Sequence, residues 1–275
     1  MFAIFFALAP LFIFLMIGMT LRRTGFLSDS FWKGLEKLAY WALLPALFFK
    51  TMVTANFSGL TLLPAMFAAF ALLAMMMVLL ILLRPAARHT DGATYSSLIQ
   101  GATRFNNYVG LPVTLSLFGE TGIVVYAIII SGMIPLTNVT SVWALSHYAS
   151  HEKVKWRIVG WRIITNPLIV STLLGIAVNL MFNTGKTGLP PVINEVVTAM
   201  ANASLLMGIL TIGAGLDPAA IRTDRARVLY ACFLKLVLFP AIAVGCGLLF
   251  GLNNLAMSVL ILFAALFVVK YADAL

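Results

Sequence analysis

Apolar residues recur in this chain in runs close to twenty residues long, and that spacing constrains the fold more than any other feature. The hydrocarbon core of a bilayer is about 30 Å thick and a helix rises about 1.5 Å per residue, so a crossing needs roughly 20 apolar residues. Nine such runs fall at about 2–21, 32–53, 62–84, 94–118, 121–146, 163–183, 193–215, 228–250 and 253–269. Of the 275 residues, 62% are hydrophobic and only 10% charged, whereas roughly a quarter of a soluble domain is charged. A larger core does not explain that excess, because a soluble surface needs charge to stay dispersed. The sequence therefore predicts an all-α integral membrane protein. The first run lacks a basic leader, is too long for the core of a signal peptide and is followed at once by Arg22 and Arg23. It reads as a retained helix.

The net charge is +9, but the basic residues punctuate apolar runs instead of clustering on a solvated face, so no nucleic-acid partner is expected. Sorted by loop, 13 of the 18 lysines and arginines fall on one side of the membrane. They are Arg22, Arg23, Lys33 and Lys37 around the first loop, Arg84 and Arg88 in the third, Lys153, Lys155, Arg157 and Arg162 in the fifth, and Arg222, Arg225 and Arg227 in the seventh. The even loops offer only Lys50 and Lys186. The odd loops are then cytoplasmic and the N-terminus lies outside a cell (inner) membrane crossed many times.

The long basic loop from His147 to Arg162 divides the chain into a first five-span half, 1–148, a basic linker, 149–162, and a second half, 163–275. An odd number of spans per half makes the halves insert with opposite topology. Polarity returns at corresponding places: Pro45 in span two against Asn202, Ser204, Gly208, Gly213 and Gly215 in span seven, and Pro64 in span three against Lys235 and Pro240 in span eight. Inverted repeats with broken helices are a characteristic build of secondary transporters, with the site near the midplane.

Span four carries the chemistry. Between residues 94 and 118 it holds Gln100, Thr103, Arg104, Asn106, Asn107 and Tyr108, then Gly110 and Pro112. Polar groups at bilayer depth are expensive unless satisfied. Proline removes a backbone donor and disfavours helix in the residue before it, so a break is expected at Gly110–Pro112. Broken backbone at that depth is tolerated inside protein or along a watery cavity, where free half-helix ends and the two amides make a site for a small polar or anionic solute. A plain kink with the asparagines as interhelical glue is the competing reading. Arg104 is the deeper candidate to attract an anion. Lys235 either snorkels to the interface or pairs within the bundle. Asn138 in span five lines the cavity or packs, Asp217 and Glu120 read as span-end residues, and Gly247 with Gly251 has helix-packing spacing.

Catalysis is not expected. His89, His147 and His151 lie in loops, none shares a span with a carboxylate, and no Ser/His/Asp set, phosphate loop or Cys/His cluster occurs. Cys232 and Cys246 share one apolar stretch and form no metal or disulfide pattern. No cofactor or metal is expected.

Several segments resemble bacterial members of the auxin efflux carrier family. They are Ile17-Gly18 with Leu21-Arg22-Arg23-Thr24-Gly25-Phe26-Leu27, Phe31-Trp32, and Leu43-Leu44-Pro45-Ala46-Leu47-Phe48. Most specific is Arg104-Phe105-Asn106-Asn107-Tyr108-Val109-Gly110-Leu111-Pro112 with Leu117-Phe118-Gly119. Asn166-Pro167 opening span six, Ile212-Gly213-Ala214-Gly215-Leu216 ending span seven and Lys235 to Pro240 also match, so the resemblance covers about residues 1–266. It implies ten helices in two inverted five-helix repeats, similar to bile-acid/sodium symporters, with the broken fourth and ninth helices crossing at the site. It also implies export or exchange of a small organic anion, auxin-like or a malate- or malonate-like dicarboxylate, by a homodimer. After Phe263-Ala264-Ala265-Leu266 the chain departs from the family's proline-containing break and tenth helix and reads Phe267-Val268-Val269-Lys270-Tyr271-Ala272-Asp273-Ala274-Leu275. The expectation is a second repeat one helix short, with span nine ending near Lys270. Two other readings stand beside the carrier: a truncated remnant or membrane sensor scaffold that does not transport, and a sodium-coupled organic anion symporter. Spans four and five offer no deep carboxylate for proton coupling. Export driven by the membrane potential, worth about 2.3 kcal/mol per charge per 100 mV, or anion exchange needs none.

Overall fold

The computed structural model describes residues 2–55, 57, 61–85, 90–103, 105–150, 156–182, 189–216 and 232–266, and the regular elements among them are all helices. In chain order these are α1 (Phe2–Arg23), α2 (Asp29–Leu38), a π-helical turn (Ala39–Leu43), α3 (Leu44–Val53), α4 (Leu62–Leu83), α5 (Gly92–Thr103) and α6 (Asn107–Leu145). A second π turn (Ser146–Ser150), α7 (Trp156–Ile164), α8 (Pro167–Phe182) and α9 (Pro191–Gly215) follow. A third π turn (Leu234–Leu238), α10 (Phe239–Leu249) and α11 (Asn254–Ala265) complete the described chain. The 39 residues of α6 would extend about 58 Å if straight, far beyond one bilayer core. The helix instead turns at Gly119, with φ 64 and ψ −162. Glycine tolerates that conformation and L side chains do not. The second part of α6 is thus the expected fifth span.

The apolar runs correspond to helices, with boundaries moved in places: the helix of span nine, expected to reach 269, ends at Ala265, where Leu266 turns extended. Span six begins at Pro167 and not at residue 163, because the Asn166 side chain accepts from the amides of Leu168 and Ile169 at 3.0 and 3.4 Å. That is an N-cap, with proline as the first helical residue, where its missing N–H costs nothing. Two other prolines lie mid-span and are met by widened turns. The amide of Leu44 reaches back five residues to Ala39 just before Pro45, and that of Phe239 reaches Leu234 just before Pro240. Adding one residue to the turn accommodates the lost donor without ending the span.

The chain divides into two compact units, each drawn from both halves of the sequence. The first contains Met1–Gly59, Asn107–Ala127 and Thr165–Asp217. Within it α1 and α9 approach closely, with Gly18 against the backbone of Leu210 and Gly213 against that of Leu15. A side chain at either glycine would overlap a carbonyl, which is the small-residue packing expected where hydrophobic burial no longer drives association. The Arg22 guanidinium closes this pair, donating to the Ala214 carbonyl at 3.0 Å at the end of α9 and pairing with Asp29 at 3.0 Å. Gly175 of α8 lies against Phe49 and Met52, and the Asn179 amide donates toward the carbonyls of Met52, Val53 and Ala55 at 3.0, 2.8 and 2.9 Å. A side chain of α8 thereby satisfies the carbonyls left open where α3 ends.

The second unit contains Leu60–Asn106, Ile128–Ile164 and Pro218–Leu275. Its core includes Ala65, Ala68, Leu72, Tyr95, Ile99, Ile130, Phe239 and Val259, all buried. Tyr95 donates to the Leu80 carbonyl, and the Arg84 guanidinium lies 4.6 Å from the Tyr95 ring centre and 5.7 Å from that of Tyr148. Helices α10 and α11 form a hairpin through Gly251, with the Asn253 side chain capping α11 by accepting from Ala256 at 2.9 Å. Elsewhere on the chain large apolar side chains stand exposed, Leu82, Met181 and Leu249 each by more than 70%. On a helical chain of this composition that surface faces lipid.

Candidate functional site

Span four is interrupted, but about five residues earlier than its proline indicates. Helix α5 ends at Thr103 and α6 begins at Asn107, so Gly110 and Pro112 lie inside the resumed helix and not at the break. The physical reason is that Pro112 removes a single backbone bond, which bends a helix more readily than it stops one. Asn106 instead occupies the position before the helix start, where asparagine is among the preferred residues. The first amides of α6 have no partner within the helix, so the resumed helix presents its positive end toward the interruption. Thr114 donates to the Gly110 carbonyl at 2.6 Å and Leu111 is fully buried, which holds this first stretch of α6 in place.

A second short helix lies in the second half of the chain. Helices α5 and α11 each have 12 residues, a rise of about 18 Å, or little more than half a bilayer core. Their ends meet: the Phe105 ring, two residues past α5, lies 4.6 Å from that of Phe263 in the last turn of α11, the planes inclined at 49°. Sequence reasoning did not single out either ring. The signal was available in the spacing, since Asn253 caps α11 and Phe263 falls about 15 Å along it.

The expected site residues divide accordingly. Asn106 and Asn107 lie at the interruption, half-buried, and the Asn107 Oδ1 atom is buried with no hydrogen-bond partner. Tyr108 opens α6 beside them, and Arg104 lies outside the described residues. Gln100 is on α5, its amide 3.5 Å from the Ser96 hydroxyl. Asn138 is half-buried in the later part of α6, beside Thr137, whose hydroxyl bonds back to the Met133 carbonyl at 2.9 Å. Lys235 is only 3% exposed, in the π turn before Pro240, with its Nζ 5.4 Å from the Phe239 ring centre. Protein encloses it, unlike a lysine snorkelling to water. Asp217 and Lys270 lie outside the described residues. Among the described residues there is no His, Cys, Asp or Glu group able to hold a metal ion.

Within the second unit the ends of two 12-residue helices meet at Phe105 and Phe263, and short helix ends brought together inside a lipid-facing protein are a build found in solute carriers. Comparison with known proteins agrees. The family described as membrane transport protein matches residues 3–267. An uncharacterized transporter of Methanothermobacter thermautotrophicus is 23% identical over 258 residues, covering 92% of this chain and 82% of its own. With an interrupted apolar helix and a family match over nearly its whole length, the chain belongs to the membrane transport protein family, the auxin-efflux-carrier-like group of membrane transporters.

Proposed function

We propose that this transporter is a secondary carrier for a small organic anion, a dicarboxylate of malate or malonate type or an auxin-like carboxylate, working by alternating access around the interruption in span four. The observation that carries the reading is the pair of 12-residue half-helices α5 and α11, whose ends meet at Phe105 and Phe263. By the distribution of basic residues α5 enters from the cytoplasmic side and α11 from outside, so about 18 Å of each brings both ends to the midplane. Asn106, Asn107 and Tyr108, the start of α6 with Gly110 and Pro112, Arg104, and more distantly Gln100 and Asn138, are then the groups around the solute. The positive helix start suits a carboxylate. The buried Asn107 Oδ1 accepts from a hydroxyl on the same solute or from water.

The same reading treats 1–148 and 163–275 as inverted repeats joined by the basic linker 149–162. It is supported by the way each compact unit takes matching spans from both halves, spans one and two with six and seven in the first, and three with eight in the second. The carrier sits in the cell membrane with its N-terminus outside, as a homodimer. Uptake of labelled malonate, malate and indole acetate into vesicles, wild type against Asn107→Ala, tests the site. The variant is expected to lose tenfold or more in flux at equal protein level. Undiminished flux would remove Asn107 from the site, and no flux of any carboxylate in the wild type would remove the substrate class.

A further inference from the structure

Helix α7 (Trp156–Ile164) has no part in carrying a solute, and its exposed side chains call for another partner. Its nine residues rise about 13 Å, less than half of a bilayer core, so it does not cross. Thr165 and Asn166 alone separate it from Pro167, where span six begins, so connectivity ties α7 to the membrane boundary. Large apolar side chains stand open on it: Trp156 is 56% exposed, Trp161 67% and Ile164 69%. At about 100° of turn per residue, these three and the exposed Arg157 fall within one arc of about 140°. Exposed apolar side chains on the spans are covered by hydrocarbon. Two tryptophans and an isoleucine outside the spans, interleaved with cations, need a different cover. Tryptophan favours the headgroup layer, where the ring is in apolar surroundings and the N–H stays hydrated.

Charge narrows the choice of cover. Between residues 152 and 162, Lys153, Lys155, Arg157 and Arg162 stand against a single acid, Glu152. By the distribution of basic residues this segment lies on the cytoplasmic side, whose leaflet carries anionic lipid. A second copy of the chain fits the face poorly, since a two-fold contact would set this excess of positive charge against itself. A lipid layer with anionic headgroups fits both parts of the pattern. The indole rings and Ile164 enter the boundary with the acyl chains, and Arg157, on the same arc, extends its stem along them and holds its guanidinium at the level of the phosphates.

We propose that α7 lies in the membrane interface and binds anionic phospholipid through Trp156, Arg157, Trp161 and Ile164. The assignment does not depend on which solute the protein carries. The test uses the full chain reconstituted into phosphatidylcholine vesicles containing a minor fraction of lipid brominated high on its acyl chains, either phosphatidylglycerol or phosphatidylcholine. Bromine quenches tryptophan fluorescence on contact. Subtracting the signal of a Trp156→Phe, Trp161→Phe double variant isolates these two rings from the chain's other tryptophans. Brominated phosphatidylglycerol should quench the isolated signal at least twofold more than brominated phosphatidylcholine. Arg157→Gln should remove half or more of that preference, because one charge near the surface changes the local share of anionic lipid about fivefold, and Arg157→Lys should retain it. Equal quenching by the two lipids would overturn the proposal, as would a preference that Arg157→Gln leaves untouched. Rings that neither lipid quenches would overturn it as well, and would show that protein covers the face.

Discussion

If the ring contact between Phe105 and Phe263 holds the two half-helix ends together, removing either ring should weaken the second unit, and removing both should cost less than the sum. Phe263 is 4% exposed. A fully buried phenylalanine truncated to alanine costs about 3–5 kcal/mol in a water-soluble core, and a lipid-embedded protein loses mainly the packing share of that, about 2 kcal/mol. Phe105 is half-buried, so its loss should come to about 1 kcal/mol. With centroids 4.6 Å apart at 49°, the pair is close enough for a coupling of about 1 kcal/mol beyond buried area. The assay is equilibrium unfolding in mixed micelles by stepwise addition of sodium dodecyl sulfate, for wild type, Phe105→Ala, Phe263→Ala and the double variant. The double variant should fall about 1 kcal/mol short of additivity, well outside the roughly 0.3–0.5 kcal/mol scatter of independent sites. Additive losses would show that the ends of α5 and α11 do not support one another, and would refute a break built from two half-helices joined at their ends.

Three further outcomes follow from particular contacts. Asn179→Ala removes the donor that faces the Met52, Val53 and Ala55 carbonyls. It should cost about 2 kcal/mol, seen as a lowered midpoint in the same titration, and an unchanged midpoint would show that those carbonyls find other partners. Gly119→Ala puts a side chain at φ 64, ψ −162 and should destabilise by about 1–3 kcal/mol, whereas Gly245→Ala on α10, with open space around it, should not. For orientation, Cys232→Ser and Cys246→Ala provide a background in which Glu120→Cys and Arg157→Cys are probed with a membrane-impermeant maleimide. Position 120 should react on intact cells and position 157 only after permeabilisation; the reverse pattern would invert the topology.

Most of the fold was legible in the sequence, because lipid leaves the backbone few choices. A run of some twenty apolar residues without charge has to be a helix there, and α4 and α9 appear close to where their runs predict them. The boundaries that moved did so for local chemical reasons. Asn166 and Pro167 lie inside an apolar run, and only their match to the family marks them as opening span six, where together they cap and start α8. The π turns before Pro45 and Pro240 could not be anticipated from composition. They arise because a span that must continue through a proline widens by one residue in preference to exposing carbonyls to hydrocarbon. Nor does periodicity reveal Gly18 and Gly213 as the contact between α1 and α9, since that pairing depends on two helices distant in sequence coming to lie side by side.

The interruption in span four was legible as an interruption but expected about five residues too late, and the reason lies in the asparagines beside it. Proline attracts attention as a breaker, but Pro112 sits in the sixth position of α6, next to a fully buried Leu111 and a Thr114 hydroxyl bound to the Gly110 carbonyl. A missing donor there leaves one carbonyl short, which a kink tolerates. Residues 105 and 106 include no proline and still lie outside helix, because consecutive asparagines compete for backbone hydrogen bonds and favour helix starts over helix interiors. The polar residues are therefore more than decoration on a break made by proline. They help make the break, and the groups that open the backbone are the groups left at it. Conservative exchange of Pro112 for alanine should then leave the interruption in place, while replacing Asn106 and Asn107 with leucine should extend α5 toward α6 and close it.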